Sequence, residues 1–187
     1  MPRFLFVFAL AFCVVTVPLH SQDQKQDQRK EQKPAPGHYL FAWTGDVAKK
    51  GNDFLAVIDA DPASPSYGHL VTTVATDQQT MYAHHTEYTM PASGMLFAND
   101  HDAGRTFVFD VRDPLHPKVA ISFTDMAGYM HPHSFLRLPN GHVLATFQHA
   151  HHGDGHTNPS GGLVEIDDQG TAIRSGATRI RRFRIPC

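Results

Sequence analysis

The chain has 187 residues, of which 18% are charged and 14 are histidine. Between residues 37 and 176, seven Lys and Arg stand against fifteen Asp and Glu, a net charge of −8 with histidine neutral. Such an acidic body argues against nucleic acid or an anionic membrane surface as a partner. The high histidine content is the compositional feature that a function has to explain.

Residues 1–21 have the composition of a secretory signal peptide. Arg3 precedes a 14-residue apolar run from Phe4 to Val17, and a small residue, Ser21, follows at a plausible cleavage position. The run is shorter than the roughly 20 residues that span a bilayer, so we expect a secreted or periplasmic protein without a stable membrane anchor. Cys13 would leave with this segment and Cys187 is the last residue, so the mature body offers no cysteine ligand and no intrachain disulfide.

Residues 22–36 are rich in glutamine and charged side chains, which predicts a disordered spacer. From residue 38 onward, short runs of Val, Phe, Leu, Ile and Thr alternate with Gly, Pro, Asn and Asp, a pattern typical of a nearly all-β fold. The predicted strands are 38–43, 54–59, 69–75, 95–98, 106–111, 119–124, 134–138, 142–147, 163–166 and 171–174.

Three apolar strands are each closed by an aspartate at a turn, at Asp59, Asp110 and Asp167, with spacings of 51 and 57 residues. These spacings are close to the length of a four-stranded propeller blade. We therefore expect residues 37–176 to form a partial β-propeller of two to three blades, which cannot close by itself. Residues 177–187 carry four arginines; we expect an interrupted or frame-shifted gene end, with a basic tail that binds an acidic partner as the alternative.

Twelve of the histidines lie between His69 and His156 and form groups. Imidazole nitrogen without thiolate favours copper or zinc over calcium or magnesium. His84 and His85 are adjacent, and adjacent strand residues point to opposite faces, so at most one of them would face a given site. His131 and His133 have the strand spacing that places both on one face, although Pro132 suggests a turn. For both groups, metal binding and a surface or structural role stay open.

The run from His149 to His156, which includes His151 and His152, is a glycine-rich loop. Short histidine-rich tracts bind metals without being catalytic, so adventitious binding is the favoured interpretation here. The sequence contains no Ser-His-Asp order, phosphate-binding loop or paired carboxylates that would identify catalytic residues.

Several segments, which follow one another in the same order as in the family, resemble the selenium-binding protein family, whose members include methanethiol oxidases. The similarity covers about residues 38–176. It is carried by the following segments: 54–68, the His84-His85 pair, Phe107 to Val111, 132–144 and Gly161 to Asp167.

The resemblance implies a seven-bladed propeller of the YVTN/WD40-like type and a histidine-bound copper centre, while the imidazole donors themselves keep zinc as the alternative metal. It also implies oxidation of a small thiol, methanethiol, with oxygen and water to formaldehyde, hydrogen sulfide and hydrogen peroxide. His84, His85 and His133 are the positions that match metal ligands, and His131, His149, His151 and His152 are weaker candidates. The chain would be such an oxidoreductase if further blades complete it, and a non-catalytic periplasmic metal-binding or interaction propeller otherwise.

The sequence departs from the family pattern at three places. Gly68 stands where some members have the cysteine linked to selenium, the cysteine-rich stretch after the His-His pair is absent, and Leu136 replaces a histidine. Selenium binding through cysteine is therefore not expected in this chain.

Overall fold

The computed structural model describes residues 37–150 and 161–177, which form strands and turns without a helix. Within these residues no helix is long and apolar enough to cross a membrane. The segments 1–21 and 22–36, residues 151–160 with the candidates His151 and His152, and residues 178–187 lie outside the described residues. The twelve strands are β1 Tyr39–Thr44, β2 Phe54–Asp59, β3 Leu70–Ala75, β4 Ala83–Thr86, β5 Met95–Asp100, β6 Arg105–Asp110, β7 Lys118–Phe123, β8 Asp125–Met126, β9 Tyr129–Arg137, β10 Val143–Ala150, β11 Gly162–Ile166 and β12 Ala172–Ala177.

The strands form three antiparallel sheets, each built from consecutive strands. Sheet 1 has the order β1-β2-β3, sheet 2 the order β4-β5-β6-β7, and sheet 3 the order β12-β11-β10-β9-β8. Short up-and-down connections of this kind allow each sheet to form from local sequence. The all-β prediction is confirmed, and the arrangement is β-propeller-like.

The repeated aspartates close one inner strand of each sheet. The carboxylates of Asp59, Asp110 and Asp167 accept a hydrogen bond from the backbone N–H two residues later, at 3.0, 3.2 and 2.9 Å. This Asx turn mimics a backbone turn and ends the strand. The predicted Asn-Gly hairpin is also present between β9 and β10, where Gly141 adopts φ 87°.

Sheet 2 is buried on both faces because its neighbours pack against it from either side. Alternate residues of β5 and β6 point in opposite directions. The face towards sheet 1 forms a core of Leu55, Leu96, Ala98, Phe107, Phe109 and Val111. The face towards sheet 3 forms a second core of Phe97, Val108, Phe135, Val143, Ala145, Phe147, Val164 and Ile166.

Two strands were not predicted from sequence, and one starts earlier than predicted. β4 and β8 are too short and too polar to give an apolar run, and β9 begins at Tyr129 rather than at residue 134. The missed part includes His84, His85, His131 and His133, since the strand signal depends on apolar alternation that histidine-rich segments lack. β12 ends at Ala177, one residue inside the segment assigned to the tail.

Candidate functional site

The His84-His85 pair occupies a β-bulge on β4. Ala83 pairs with Asp100 and Thr86 with Ala98, so the two histidines together stand opposite the single residue Asn99. A bulge of this kind breaks the alternation of side chains and redirects one of them. The expectation that at most one of the two imidazoles could face a site is therefore wrong, because it assumed a regular strand.

His133 lies in a corresponding bulge on β9 of sheet 3. Pro132 pairs with Phe147 and Phe135 with Ala145, which leaves His133 and Ser134 opposite Thr146. The Ser134 N–H donates to the Thr146 hydroxyl at 2.9 Å, and His133 Nδ1 lies 3.0 Å from Ser134 Oγ. The bulge residues of the two sheets correspond in register, so His133 takes the place of His84 and Ser134 that of His85.

The two bulges bring three imidazoles together. One ligand nitrogen from each of His84, His85 and His133 lies within 4.8 Å of the others. The ring centroids are separated by 4.0 Å between His84 and His85, 4.8 Å between His84 and His133, and 4.6 Å between His85 and His133. His84 is exposed and the other two are half-buried, so the cluster faces outward. We call these three residues the histidine cluster.

The electrostatic environment keeps the cluster suited to metal. Partial burial, and then the neighbouring imidazoles, lower the pKa of His84 and of His133. Both rings are therefore neutral at neutral pH and each carries a free lone pair. An all-nitrogen set without a cysteine in the body fits copper or zinc and is poorly suited to calcium or magnesium.

His101 adjoins the histidine cluster although it was not predicted as a ligand. It follows β5, and its ring centroid lies 5.3 Å from that of His84 and 6.1 Å from that of His133. Its Nδ1 atom is 3.1 Å from an Asp102 carboxylate oxygen. His101 was one of the histidine groups noted in the sequence. Its position next to β4 could not be predicted, because it depends on the pairing of β4 with β5.

His131 and His149 form a separate pair, with ring centroids 5.2 Å apart across β9 and β10. His131 has a left-handed backbone, φ 55°, which interrupts the strand alternation before His133. Its ring packs on Gly104, where a Cβ atom would lie only 3.0 Å from the imidazole. The structure thus groups His133 with His84 and His85, and His131 with His149.

Comparison with known proteins agrees with this fold. No family model matches the chain. The methanethiol oxidase of Hyphomicrobium sp is 34% identical over 140 residues, which cover 72% of this chain and 31% of that protein. A solved structure of a hypothetical selenium-binding protein from Sulfolobus tokodaii matches with a TM-score of 0.59 and 18% identity, over 75% of this chain and 34% of that chain.

The structural match supports the fold, and the sequence match supports the relationship. The chain spans about a third of the length of the curated relative. Over the part that is matched, this chain belongs to the selenium-binding protein and methanethiol oxidase family.

Proposed function

We propose that the chain contributes the copper-binding part of an exported, methanethiol oxidase-like propeller. The observation that supports this most directly is the approach of His84, His85 and His133 to within 4.8 Å of one another, since these are the residues that the family resemblance also selects. The Hyphomicrobium relative is named a methanethiol oxidase, so the proposed substrate is a small thiol.

In this proposal the histidine cluster would hold copper through three imidazole nitrogens, one from each histidine. Three protein ligands leave room for a further ligand, as in catalytic metal sites. When bound, copper supplies the one-electron steps by which a thiol and oxygen exchange electrons. The balanced reaction converts methanethiol, oxygen and water into formaldehyde, hydrogen sulfide and hydrogen peroxide.

The chain's own residues would bind the metal and orient its ligands. The β4 bulge turns His84 and His85 to one side. The contact between His133 Nδ1 and Ser134 Oγ, which are within hydrogen-bonding distance, restrains the third ring. A ring nitrogen held by a neighbour fixes which nitrogen is left for the metal. We further propose that the three sheets are blades of a seven-bladed propeller, whose remaining blades would complete the active site.

Copper stoichiometry tests the proposal. We expect the purified chain to hold one copper that is lost in His84→Ala and in His133→Ala, because each change removes one of three ligands. His116→Ala is the matched control, since His116 is an exposed imidazole that lies beside Asp113 in a turn outside the cluster. Copper that is absent from the wild type, or that survives both cluster variants, would contradict the proposal.

A second function is a non-catalytic, exported metal-binding or interaction propeller. The His131-His149 pair favours it, because a further set of imidazoles outside the histidine cluster would bind metal weakly without forming one defined site. This function predicts weak binding of several metals and no peroxide when methanethiol is added. Thiol-dependent peroxide release, lost in His133→Ala, would exclude it.

Export is also a proposal, and it rests on the apolar run from Phe4 to Val17. N-terminal sequencing of the protein recovered from the periplasm or medium would test it. We expect an N-terminus close to residue 22, because Ser21 stands at the position of a cleavage site. Protein that stays in the cytoplasm with Met1 in place would contradict export.

A further inference from the structure

We propose that Asn99 is the positioning residue that sets the distance between the histidines of β4 and the histidine of β9. The inference rests on the proposed function, because it concerns the same histidine cluster. Asn99 lies on β5 directly opposite His84 and His85, and its side chain is fully buried.

The Asn99 carboxamide bridges the two strands that carry the cluster. Its Oδ1 atom accepts a hydrogen bond from the His85 backbone N–H at 2.7 Å. Its Nδ2 atom donates to the backbone carbonyl of Pro132, the residue before His133, at 2.9 Å. A carboxamide presents an acceptor and donors in one rigid plane, so both bonds depend on a single side-chain orientation.

The bulge explains why such a group is needed on β5. A bulge leaves one backbone N–H without a partner in the strand ladder. Asn99 satisfies that group on β4, as Thr146 does for Ser134 on β9. The two residues differ in reach, because the Thr146 hydroxyl bonds within sheet 3 whereas the Asn99 amide also reaches from sheet 2 to sheet 3.

A third bond restrains Asn99 itself. The Trp43 indole N–H donates to the Asn99 backbone carbonyl at 2.8 Å, which connects sheet 1 to the same residue. Asn99 therefore contacts elements of all three sheets. A buried residue held in this way transmits a fixed spacing to both bulges, and the ligand geometry follows from that spacing.

Asn99→Thr separates the two functions of the amide. Threonine is the residue that the chain uses at the corresponding position of sheet 3, so the variant is expected to fold and to keep an acceptor for the His85 N–H. Its shorter side chain cannot also donate from sheet 2 to the Pro132 carbonyl in sheet 3. Asn99→Asp is the second variant, since it keeps the shape and the acceptor and replaces the N–H donors with a second carboxyl oxygen, which also makes the buried group ionisable.

Thr106→Val is the matched control. Thr106 pairs directly with Asn99 across β5 and β6, and it is equally buried. Its hydroxyl has no hydrogen-bond partner within residues 37–150 and 161–177. The control therefore changes a buried polar side chain beside Asn99 without removing a hydrogen bond to β4 or β9.

The experiment is a titration of each full-length variant with copper(II) alone, followed by electron paramagnetic resonance. Partners that orient metal ligands commonly contribute about 10- to 100-fold in affinity, so we expect at least about a tenfold loss in Asn99→Thr and Asn99→Asp. The copper spectrum of these variants should also change. Thr106→Val should retain the affinity and spectrum of the wild type.

Resonances of the imidazole ring protons in the metal-free protein provide a second measurement. We expect the resonances of His85 and His133 to shift in Asn99→Thr and to stay in place in Thr106→Val. Wild-type copper affinity and unshifted ring resonances in folded Asn99→Thr would overturn the positioning role. A wild type that binds no copper would contradict the proposed function, while the ring resonances would still decide the role of Asn99.

Discussion

The central sheet meets its two neighbours by different means. Towards sheet 1, Trp43 packs on Phe107 and Phe109 with centroid distances of 5.7 and 5.6 Å, and the interface also contains a pair of buried carboxyls, Asp53 and Asp100. Towards sheet 3, the acidic side chain Glu87 instead forms an ion pair with Arg137. The two contacts therefore differ in how they accommodate buried acidic groups, because a cation accompanies Glu87 whereas burial raises the pKa of Asp100.

The two carboxyls between sheets 1 and 2 lie around one shared hydroxyl. The Thr80 hydroxyl lies 2.7 and 2.6 Å from the two Asp100 carboxylate oxygens and 3.1 Å from Asp53 Oδ2. One hydroxyl has one proton to donate, so the two carboxyls share it, and the backbone N–H groups of Thr80 and Ala103 donate to Asp53 and Asp100 respectively. Burial is the main cause that raises the pKa of Asp100, and the neighbouring Asp53 raises it further.

The contact between sheets 2 and 3 compensates charge instead. Arg137 donates to both Glu87 carboxylate oxygens at 2.8 Å, to Asp168 at 2.6 Å and to the Met95 carbonyl at 2.8 Å. Its guanidinium also lies over the Phe97 ring at 5.6 Å. With the Gly141 carbonyl, which accepts at 2.7 Å, acceptors from four residues thus share one largely buried cation.

Arg137→Met should give the largest effect, because it leaves the buried Glu87 carboxylate without its cation. Breaking a buried pair on one side costs about 3–5 kcal/mol. The free energy of unfolding from urea titration measures this loss. Glu87→Gln added to Arg137→Met should restore part of it.

Arg174→Met is the control for the arginine change. Arg174 is 76% exposed, and its partner Glu165 also accepts hydrogen bonds from Asn140 and His142. Exposed pairs contribute up to about 1 kcal/mol, so the control should cost no more than that. Equal losses in the two variants would show that the contact between sheets 2 and 3 does not depend on charge compensation.

Trp43→Phe should have an intermediate effect at the contact with sheet 1. The change removes the indole donor from the Asn99 carbonyl and leaves a buried acceptor without that bond, at a cost of about 1–2 kcal/mol. Thermal or urea unfolding measures the change. Tyr88→Phe, at an exposed tyrosine, is the control and should stay within about 0.5 kcal/mol. An unchanged Trp43→Phe variant would assign the contact to ring packing alone.

Asp100→Asn should give the smallest effect and the opposite sign. Because the folded state raises the pKa of Asp100, it holds a proton that the unfolded chain has released above about pH 4, and wild-type stability falls as pH rises through that window. Asparagine removes this penalty, so we expect a small gain in the free energy of unfolding at neutral pH. Urea unfolding between pH 4 and 8 measures it.

The control for the pH dependence is Asp113→Asn, since Asp113 is exposed and a hydrogen bond from His116 is the main cause that lowers its pKa. The fall in stability with pH should persist in that variant and disappear in Asp100→Asn. A fall that persists in Asp100→Asn would place the retained proton elsewhere, and the contrast between the two faces of sheet 2 would be lost.

The amino-acid sequence by itself determined the all-β class, the three aspartate turns and the Asn-Gly hairpin. These features depend on neighbours within a few residues, through alternation and side-chain bonds to the local backbone. The resemblance to a family also selected His84, His85 and His133 before any geometry was known.

Only the tertiary structure decided how those histidines meet. A regular strand would have separated His84 from His85, and the bulge that unites them depends on how β4 pairs with β5. Asn99 carries no sequence signal of its role, because its partners lie on β4 and β9. Register and inter-sheet hydrogen bonds join residues distant in the chain, and no local pattern encodes them.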